Sequence, residues 1–564
     1  MKYLKQIVLG AMAAVMVLSS CEDITDINEN PNGVGLNEGD PNFLVTNVMV
    51  SLLRNTTEDG YSQYLGAWMQ HTQKQGWGDH KYEWDGSGDT DWPDFYDNLR
   101  TLQLAEDLAT EQSNNFLIGV VKVLQAYNYG LLVDYYGDVP FSQSLNPIEY
   151  PTPVYDSSED IYKGIIEMFQ EAAAIFGTNP PAGVGVTSDI FFNGDVERWE
   201  KFANAMTLRY YMRLSEKDPS FAQSGVEATL SKPMFESVDE ELSIPFLGNN
   251  DDDSWPNFFQ EGNSSGFTRI RPCATLVDLL KEWNDPRQDI WFAPVAIPIQ
   301  VQPSDEIPNN VRDTILSGIR YINQDSLANN NYFIYDPDTW FDIAADGNNV
   351  LIDTSSVYVG LPVSVLNADP VAYNLNPNTD REVSSVHTSE LNVQFRERSG
   401  DYLKSRMFSY SELSFLKAEA AQRGWGSGDA GALYEEGIRA SFEAWGIDDQ
   451  YDDYIAQPEI AYDGTLEQIM WQKWIASFTA ASEAYLDWRR TGLPDLAPGP
   501  WAVSSVIPVR FVYDDSDKNS NGANWLDAVG RLETTGFTES NPSNDSGDSQ
   551  WSKPWILQGV TEPW

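Results

Sequence analysis

Residues 409–446, SYSELSFLKAEAAQRGWGSGDAGALYEEGIRASFEAWG, decide the fold. Leu413, Leu416 and Ala420 recur at helical spacing in the first half, and Leu433, Ile438 and Phe442 do so in the second. Trp425-Gly426-Ser427-Gly428 separates the halves as a turn. The small residues Ala418, Ala421, Ala430, Gly431, Gly437 and Ala440 let two helices approach closely, which is the economy of a tetratricopeptide-like hairpin.

Helical patterning continues on both sides. Towards the C-terminus, Thr465 with Gln468 forms a capping box, and the pattern predicts one long helix to about Arg490, ended by Gly492 and Pro494. The tail from 495 to 564 is irregular and carries further Trp. Towards the N-terminus, a helix is predicted from about Pro41, with others over about 58–70, 92–111 and 116–136. Gly137 offers an αL cap to the last of these, and Pro140 blocks continuation. Two more are predicted over 158–176, capped by Ser157 or Ser158, and after Gly194-Asp195 to Leu214. Between about 218 and 400, Pro, Gly, Asn and Asp are frequent and only 274–284 reads as helix. Long loops of this kind in a large domain are usually functional or disordered. The predicted class is mainly α, with tetratricopeptide-like helical pairs as a scaffold, long irregular loops and a few short strands.

The first residues, MKYLKQIVLGAMAAVMVLSS before Cys21, give Lys2 and Lys5 as a basic n-region and Ile7 to Leu18 as an uncharged apolar run. Twelve residues are too few to span a bilayer as a helix, which takes about 20, so the run reads as a signal-peptide h-region. Leu18-Ser19-Ser20-Cys21 resembles a bacterial lipobox, so Cys21 is expected to be the lipid attachment site. Residues 1–20 are then a lipoprotein signal peptide and 21–40 a lipidated flexible tether, acidic and rich in Asn and Gly. Residues 41–564 are expected to form a single domain, with the scaffold over about 41–215 and 405–495 and a loop-rich ligand face over about 218–400. With Cys21 acylated, Cys273 has no partner for an intrachain disulfide, and core burial must supply the stability.

The chain has 35 Lys and Arg against 85 Asp and Glu, a formal charge of −50. Such a charge repels nucleic-acid phosphates and anionic headgroups, so nucleic acid is not an expected partner and the membrane must be reached through lipid.

Several segments, in order, resemble the SusD/RagB-like nutrient-binding outer-membrane lipoproteins, SusD-like branch. They begin with Asn30-Pro31-Asn32, Leu132-Val133-Asp134-Tyr135-Tyr136-Gly137-Asp138-Val139-Pro140, and Asn193-Gly194-Asp195 with Trp199. Lys201-Phe202-Ala203-Asn204, Leu208-Arg209, Arg213 and Asp285-Pro286-Arg287 follow. Glu419-Ala420-Ala421, Ser441 with Trp445-Gly446, Gln472-Lys473-Trp474, Asp487-Trp488-Arg489-Arg490-Thr491-Gly492 and Pro508-Val509-Arg510-Phe511 complete the series. Tyr513-Asp514 departs from the Tyr-Pro that often follows. The resemblance implies a helical scaffold whose loops capture oligosaccharides, or in some members oligopeptides, for a TonB-dependent SusC-like transporter barrel. It also implies a lipid anchor in the outer membrane facing the exterior, with Glu22 and Asp23 as an acidic export cue.

A sugar-binding face needs flat apolar surfaces for pyranose rings and polar groups for hydroxyls, which Trp and Tyr combine. Trp92, Trp199, Trp445, Trp474 and Trp488 lie in helical patterning and are assigned to the core. Trp77, Tyr82 and Trp84, with Asp79, lie in the loop GWGDHKYEWDGSGD and are the leading ligand candidates. Trp255, Tyr335 and Trp340, in the irregular middle, are a second group, and Asn257 and Arg271 are polar candidates. No catalytic residues are assigned: there are three histidines, and no phosphate-loop motif appears. Chance carboxylate pairs keep a degradative surface glycoside hydrolase as the alternative from a different class. No cofactor is expected. Asp515–Gly522 begins like an EF-hand loop but lacks its glycine and bidentate Glu, and Asp251-Asp252-Asp253 reads as a solvated turn, so no calcium site is assigned.

Overall fold

The structure, a computed structural model, describes residues 40–62, 64–74, 82, 91–181, 188–250, 253–256, 270–303, 314–364, 373–375, 386–426, 428–540 and 547–564. Among them the helices of nine or more residues are numbered in order. They are α1 (Pro41–Thr57), α2 (Trp92–Glu111), α3 (Asn115–Tyr136), α4 (Ser158–Gly177), α5 (Val196–Arg213) and α6 (Pro219–Thr229). Then come α7 (Ala274–Glu282), α8 (Tyr410–Gln422), α9 (Ala430–Ala444), α10 (Leu466–Ala476), α11 (Ala481–Thr491) and α12 (Gly522–Gly530).

Local chemistry starts these helices where the sequence places them. Asp40, Asn114, Ser157, Asp195, Ser409 and Asp429 each accept a backbone N–H of the first turn through the side chain. Thr465 Oγ1 accepts from Gln468 N at 3.2 Å, but the Gln468 side chain accepts from Asp463 N at 2.6 Å instead of closing the box on Thr465. Gly137 ends α3 at φ 94°, ψ −128°, a conformation that needs glycine but is not the αL cap expected.

Successive helices α2 to α5 pack as neighbours, as do α8 and α9. Close approach depends on missing side chains. A Cβ on Gly437 would stand 2.8 Å from the Phe415 ring, and one on Gly130 would stand 1.8 Å from the Tyr210 hydroxyl. Helix α3 is long and apolar enough to cross a membrane, yet 89% of that stretch is buried in the fold, which makes it the core helix. One continuous apolar core joins α1–α6 to α8–α11. Trp92, Trp199, Trp445, Trp474 and Trp488 all lie in it, as expected from their helical positions.

Two expectations fail. The long helix over 465–490 is two helices, α10 and α11, broken at Ser477–Ala480. Ser477 Oγ donates to Lys473 O at 2.8 Å, Thr479 adopts φ 72°, and Arg406 Nη1 donates to Thr479 Oγ1 at 3.1 Å. The region 218–400 also contains α6, whose cap Asp218 and N1 residue Pro219 are a readable start; its buried residues Ala222, Gly225 and Val226 are too small to make a strong stripe. Elsewhere that region holds short helices and paired strands, including Tyr332–Ile334 parallel to Val350–Ile352. Asp515–Ser520 is a helical turn capped by Asp514, not an EF-hand loop.

Five carboxylates and five cations meet inside the helical core. Arg209 (α5) forks onto Glu412 (α8) at 2.7 and 2.8 Å and reaches Glu483 (α11) at 3.4 Å. Arg213, one turn on, bonds Glu483 at 2.8 Å and lies 3.5 Å from Asp134 (α3), which also faces Arg489 at 3.7 Å. Arg490 forks onto Glu419 (α8) and bonds Asp487 at 2.9 Å, while Lys473 (α10) lies 2.6 Å from Asp487. None of the ten side chains is more than 15% exposed. Burial alone would raise the Asp487 carboxyl, but Lys473, Arg490 and Arg213 outweigh it and hold it well below the carboxylate range; Arg490 and Arg423 do the same for Glu419. Glu419→Ala leaves the buried Arg490 and the partly exposed Arg423 without that carboxylate and should cost about 3–5 kcal/mol in urea denaturation. A loss under about 1 kcal/mol would contradict this lattice.

His71 supplies a pH dependence. Its Nε2 donates to Trp474 O at 2.9 Å, whereas Nδ1 is buried with no hydrogen-bond partner, and burial pulls its pKa down to about 3. The folded state therefore binds the proton less readily than the unfolded chain. Stability is full above about pH 6.5 and falls by about 1.4 kcal/mol per unit as pH drops towards 3. Between pH 6.5 and 4.5 the protein should lose about 2 kcal/mol from this residue, and His71→Gln should flatten the decline; equal slopes would refute it.

Candidate functional site

The candidates fall into three groups. Trp77, Asp79, Trp84 and Asn257 lie outside the described residues. Tyr82 and Trp255 are buried, each 1% exposed, and offer no face to a ligand in this conformation. Trp255 packs edge-on against Phe246 at 5.6 Å and tilts onto Phe395 at 6.1 Å, so an aromatic in an irregular segment here serves the core. Arg271 is likewise buried; it donates to Ser389 O at 3.1 Å and pairs with Glu390 at 3.3 Å, and burial pulls its guanidinium down to about 10.

Tyr335 and Trp340 are brought together. Strand Tyr332–Ile334 runs into Tyr335, whose N–H donates to Ile352 O at 2.8 Å, and the short helix Trp340–Ala344 follows. The two rings lie 6.4 Å apart at 37°, both half-buried, over a small apolar cluster of Val295, Ala344, Leu351, Val359 and Tyr373. The Tyr335 hydroxyl donates to Asp278 (α7) at 2.8 Å, and Lys281 Nζ bonds the same carboxylate at 3.0 Å. Burial, then the Asp278 charge, raises the Tyr335 pKa, so the phenol stays a neutral donor.

Two aromatics join this surface that the sequence reading did not single out. Phe341 is 40% exposed and stands edge-on to Trp340 at 5.8 Å. The half-buried Trp501 indole donates to Ala344 O at 3.0 Å and lies across Gly347, where a Cβ would stand 3.1 Å from the ring. Trp501 sits in Pro498-Gly499-Pro500, the same loop character that selected Trp77, so the signal was present. Asp336, Asp338, Asp342, Asp346 and Asn348 are exposed on the same arm of the chain. Apolar ring surface bordered by hydroxyl-acceptors suits a neutral polyhydroxylated ligand and repels an anion. Among the described residues no group of three His, Cys, Asp or Glu is placed to hold a metal.

Burial separates these roles experimentally. Trp255→Ala should cost about 3–5 kcal/mol in chemical denaturation. Trp501→Ala, on a half-exposed ring, should cost less than half as much. Equal losses would place Trp501 in the core.

The comparisons agree with this architecture. No curated protein sequence matches the chain. A chitin-binding protein of known structure is 24% identical, with a TM-score of 0.65, covering 92% of this chain and 99% of its own. A SusD homologue from Bacteroides fragilis is 22% identical at TM-score 0.67, with the same coverages. A chitin-binding SusD homologue from Flavobacterium johnsoniae is 20% identical at TM-score 0.64, again over 92% and 99%. The family model described as SusD-like, starch-binding and associating with the outer membrane matches residues 33–308 and 354–514. With most of its length matched, the helical scaffold and its buried charge lattice included, the chain belongs to the SusD-like family.

Proposed function

We propose that this protein captures oligosaccharides at the outer surface of the outer membrane and delivers them to a partner TonB-dependent SusC-like transporter, without chemistry on the cargo. The observation that carries this is the surface of Tyr335, Trp340, Phe341 and Trp501 on an arm that also exposes four carboxylates and an amide. Membership of a family described as starch-binding supports a glycan over a peptide. Cys21 is proposed as the lipid anchor, with residues 22–40 as the tether. Trp77, Trp84 and Asp79 are proposed to extend the same ligand face.

Each ring that covers a sugar removes about 80 Å² of apolar surface from water, worth about 2 kcal/mol. Two or three such platforms, less the cost of association, give micromolar to millimolar binding, which suits a protein that must release its cargo.

Calorimetry of the purified protein with maltoheptaose, chitohexaose and a wider glycan and peptide panel tests this. At least one oligosaccharide should bind in that range, and Trp501→Ala or Trp340→Ala should weaken it about 10- to 30-fold. Binding of peptides only, or release of new reducing ends from the glycan, would overturn the reading. Pull-down from detergent-solubilised membranes should retain a large barrel protein; its absence would remove the transporter from the proposal.

A further inference from the structure

Helix α7 ties the ligand surface to the scaffold. Its residues Leu276, Val277 and Leu280 pack in the main apolar core, while Asp278 and Lys281, one turn apart, reach out to Tyr335 and Ser355. Asp278 Oδ2 accepts from Tyr335 Oη at 2.8 Å, and its Oδ1 accepts from Lys281 Nζ at 3.0 Å. Lys281 Nζ also donates to Ser355 Oγ at 3.0 Å. Ser355 N donates to Asp353 Oδ1 at 2.7 Å, and Tyr373 Oη donates to Asp353 Oδ2 at 3.2 Å. The buried Tyr373 ring then stands edge-on to Tyr335 at 5.7 Å. The contacts close a circuit from Tyr335 through Asp278, Lys281, Ser355, Asp353 and Tyr373 back to Tyr335.

This circuit fixes one ring of the aromatic surface. The Tyr335 backbone is held by its N–H on Ile352 O at 2.8 Å, its hydroxyl by Asp278, and its ring by Tyr373. Burial, then the Asp278 and Asp353 charges, keep the proton on the phenol, so the bond to Asp278 stays that of a neutral donor to a carboxylate. A side chain ordered before the ligand arrives spares the complex that ordering cost, which corresponds to about 2- to 10-fold in affinity. The ion pair itself adds little to stability, because the Lys281 side chain is one-third exposed. What Asp278 supplies is direction: it couples a helix of the main core to the ring that lies 6.4 Å from Trp340.

We propose that Asp278 is a positioning residue of the glycan surface, which touches no ligand and acts by holding the Tyr335 ring in its tilt towards Trp340. The inference rests on the glycan reading above and adds to it the residue that orients one of its rings.

A double-mutant cycle on the full chain, by calorimetry with maltoheptaose and chitohexaose, tests it. Asp278→Ala and Tyr335→Phe should each weaken the better-bound oligosaccharide about 3- to 10-fold, and the double variant should be within 2-fold of the weaker single variant. Asp278→Asn keeps an oxygen that accepts the phenol and should bind within 2-fold of the unaltered protein. Losses that multiply in the double variant, undiminished binding by Asp278→Ala, or Asp278→Asn as weak as Asp278→Ala would each overturn the proposal. A second measurement needs no ligand. With 3-fluorotyrosine at position 335 alone, ¹⁹F NMR should show the phenol titrating at lower pH in Asp278→Ala, and an unmoved midpoint would also overturn the proposal. A moved midpoint in a protein that binds no oligosaccharide removes the glycan reading and leaves the coupling of Asp278 to Tyr335 standing.

Discussion

Everything else in the structure is arranged around a neutral lattice of buried charge. Asp134, Glu412, Glu419, Glu483 and Asp487 face Arg209, Arg213, Lys473, Arg489 and Arg490 in the middle of the helical core. Isolated buried charges cost several kcal/mol each, and the pairing repays that only when the geometry is good. Helices α3, α5, α8, α10 and α11 must therefore hold one relative placement. That constraint explains the break between α10 and α11, since Glu483 and Asp487 belong to the second helix and Lys473 to the first. It also fits the state of Cys273, which is buried and, among the described residues, free of any disulfide.

A scaffold fixed in this way frees its other segments from holding the fold. The arm from Tyr335 to Gly347 sits over a small satellite cluster, and its rings, with Trp501 beside them, keep part of their surface in water. Rigid support with exposed aromatic faces is what a weak, reversible sugar binder needs. Asp138 extends the order of the core outward: it accepts from Ser158 and pairs with Arg531, which in turn donates to Tyr155 O in the hairpin that pairs Val139–Pro140 with Tyr155–Asp156.

The sequence made the scaffold readable because helix caps and stripes are local, and the structure places most of them within a residue or two. Several of the residues that carried the family resemblance belong to the buried network. Asp134, Arg209, Arg213, Glu419, Lys473, Asp487 and Arg490 are lattice members, and Arg287 bonds Asp285, Ser441 and Gln472 in a second buried set. These positions therefore report fold, not ligand. The site was harder to read because an aromatic in an irregular segment can face either way. Among the described residues seven tryptophans, Trp255 among them, are fully buried, so the Trp surplus is largely packing. Trp501 had the right loop context and lay in a tail whose irregularity hid its contact with Gly347, a contact that exists only in three dimensions.

The central claim is that the charge lattice holds the scaffold while the aromatic loops hold the glycan. Hydrogen–deuterium exchange of the full chain, with and without the oligosaccharide that binds best, addresses it directly. Added protection should concentrate over 332–348 and 498–503, while α3, α5, α8 and α11 exchange slowly and equally in both states. Protection that appears in α8 and α9 and leaves the Tyr335–Trp501 surface unchanged would contradict it.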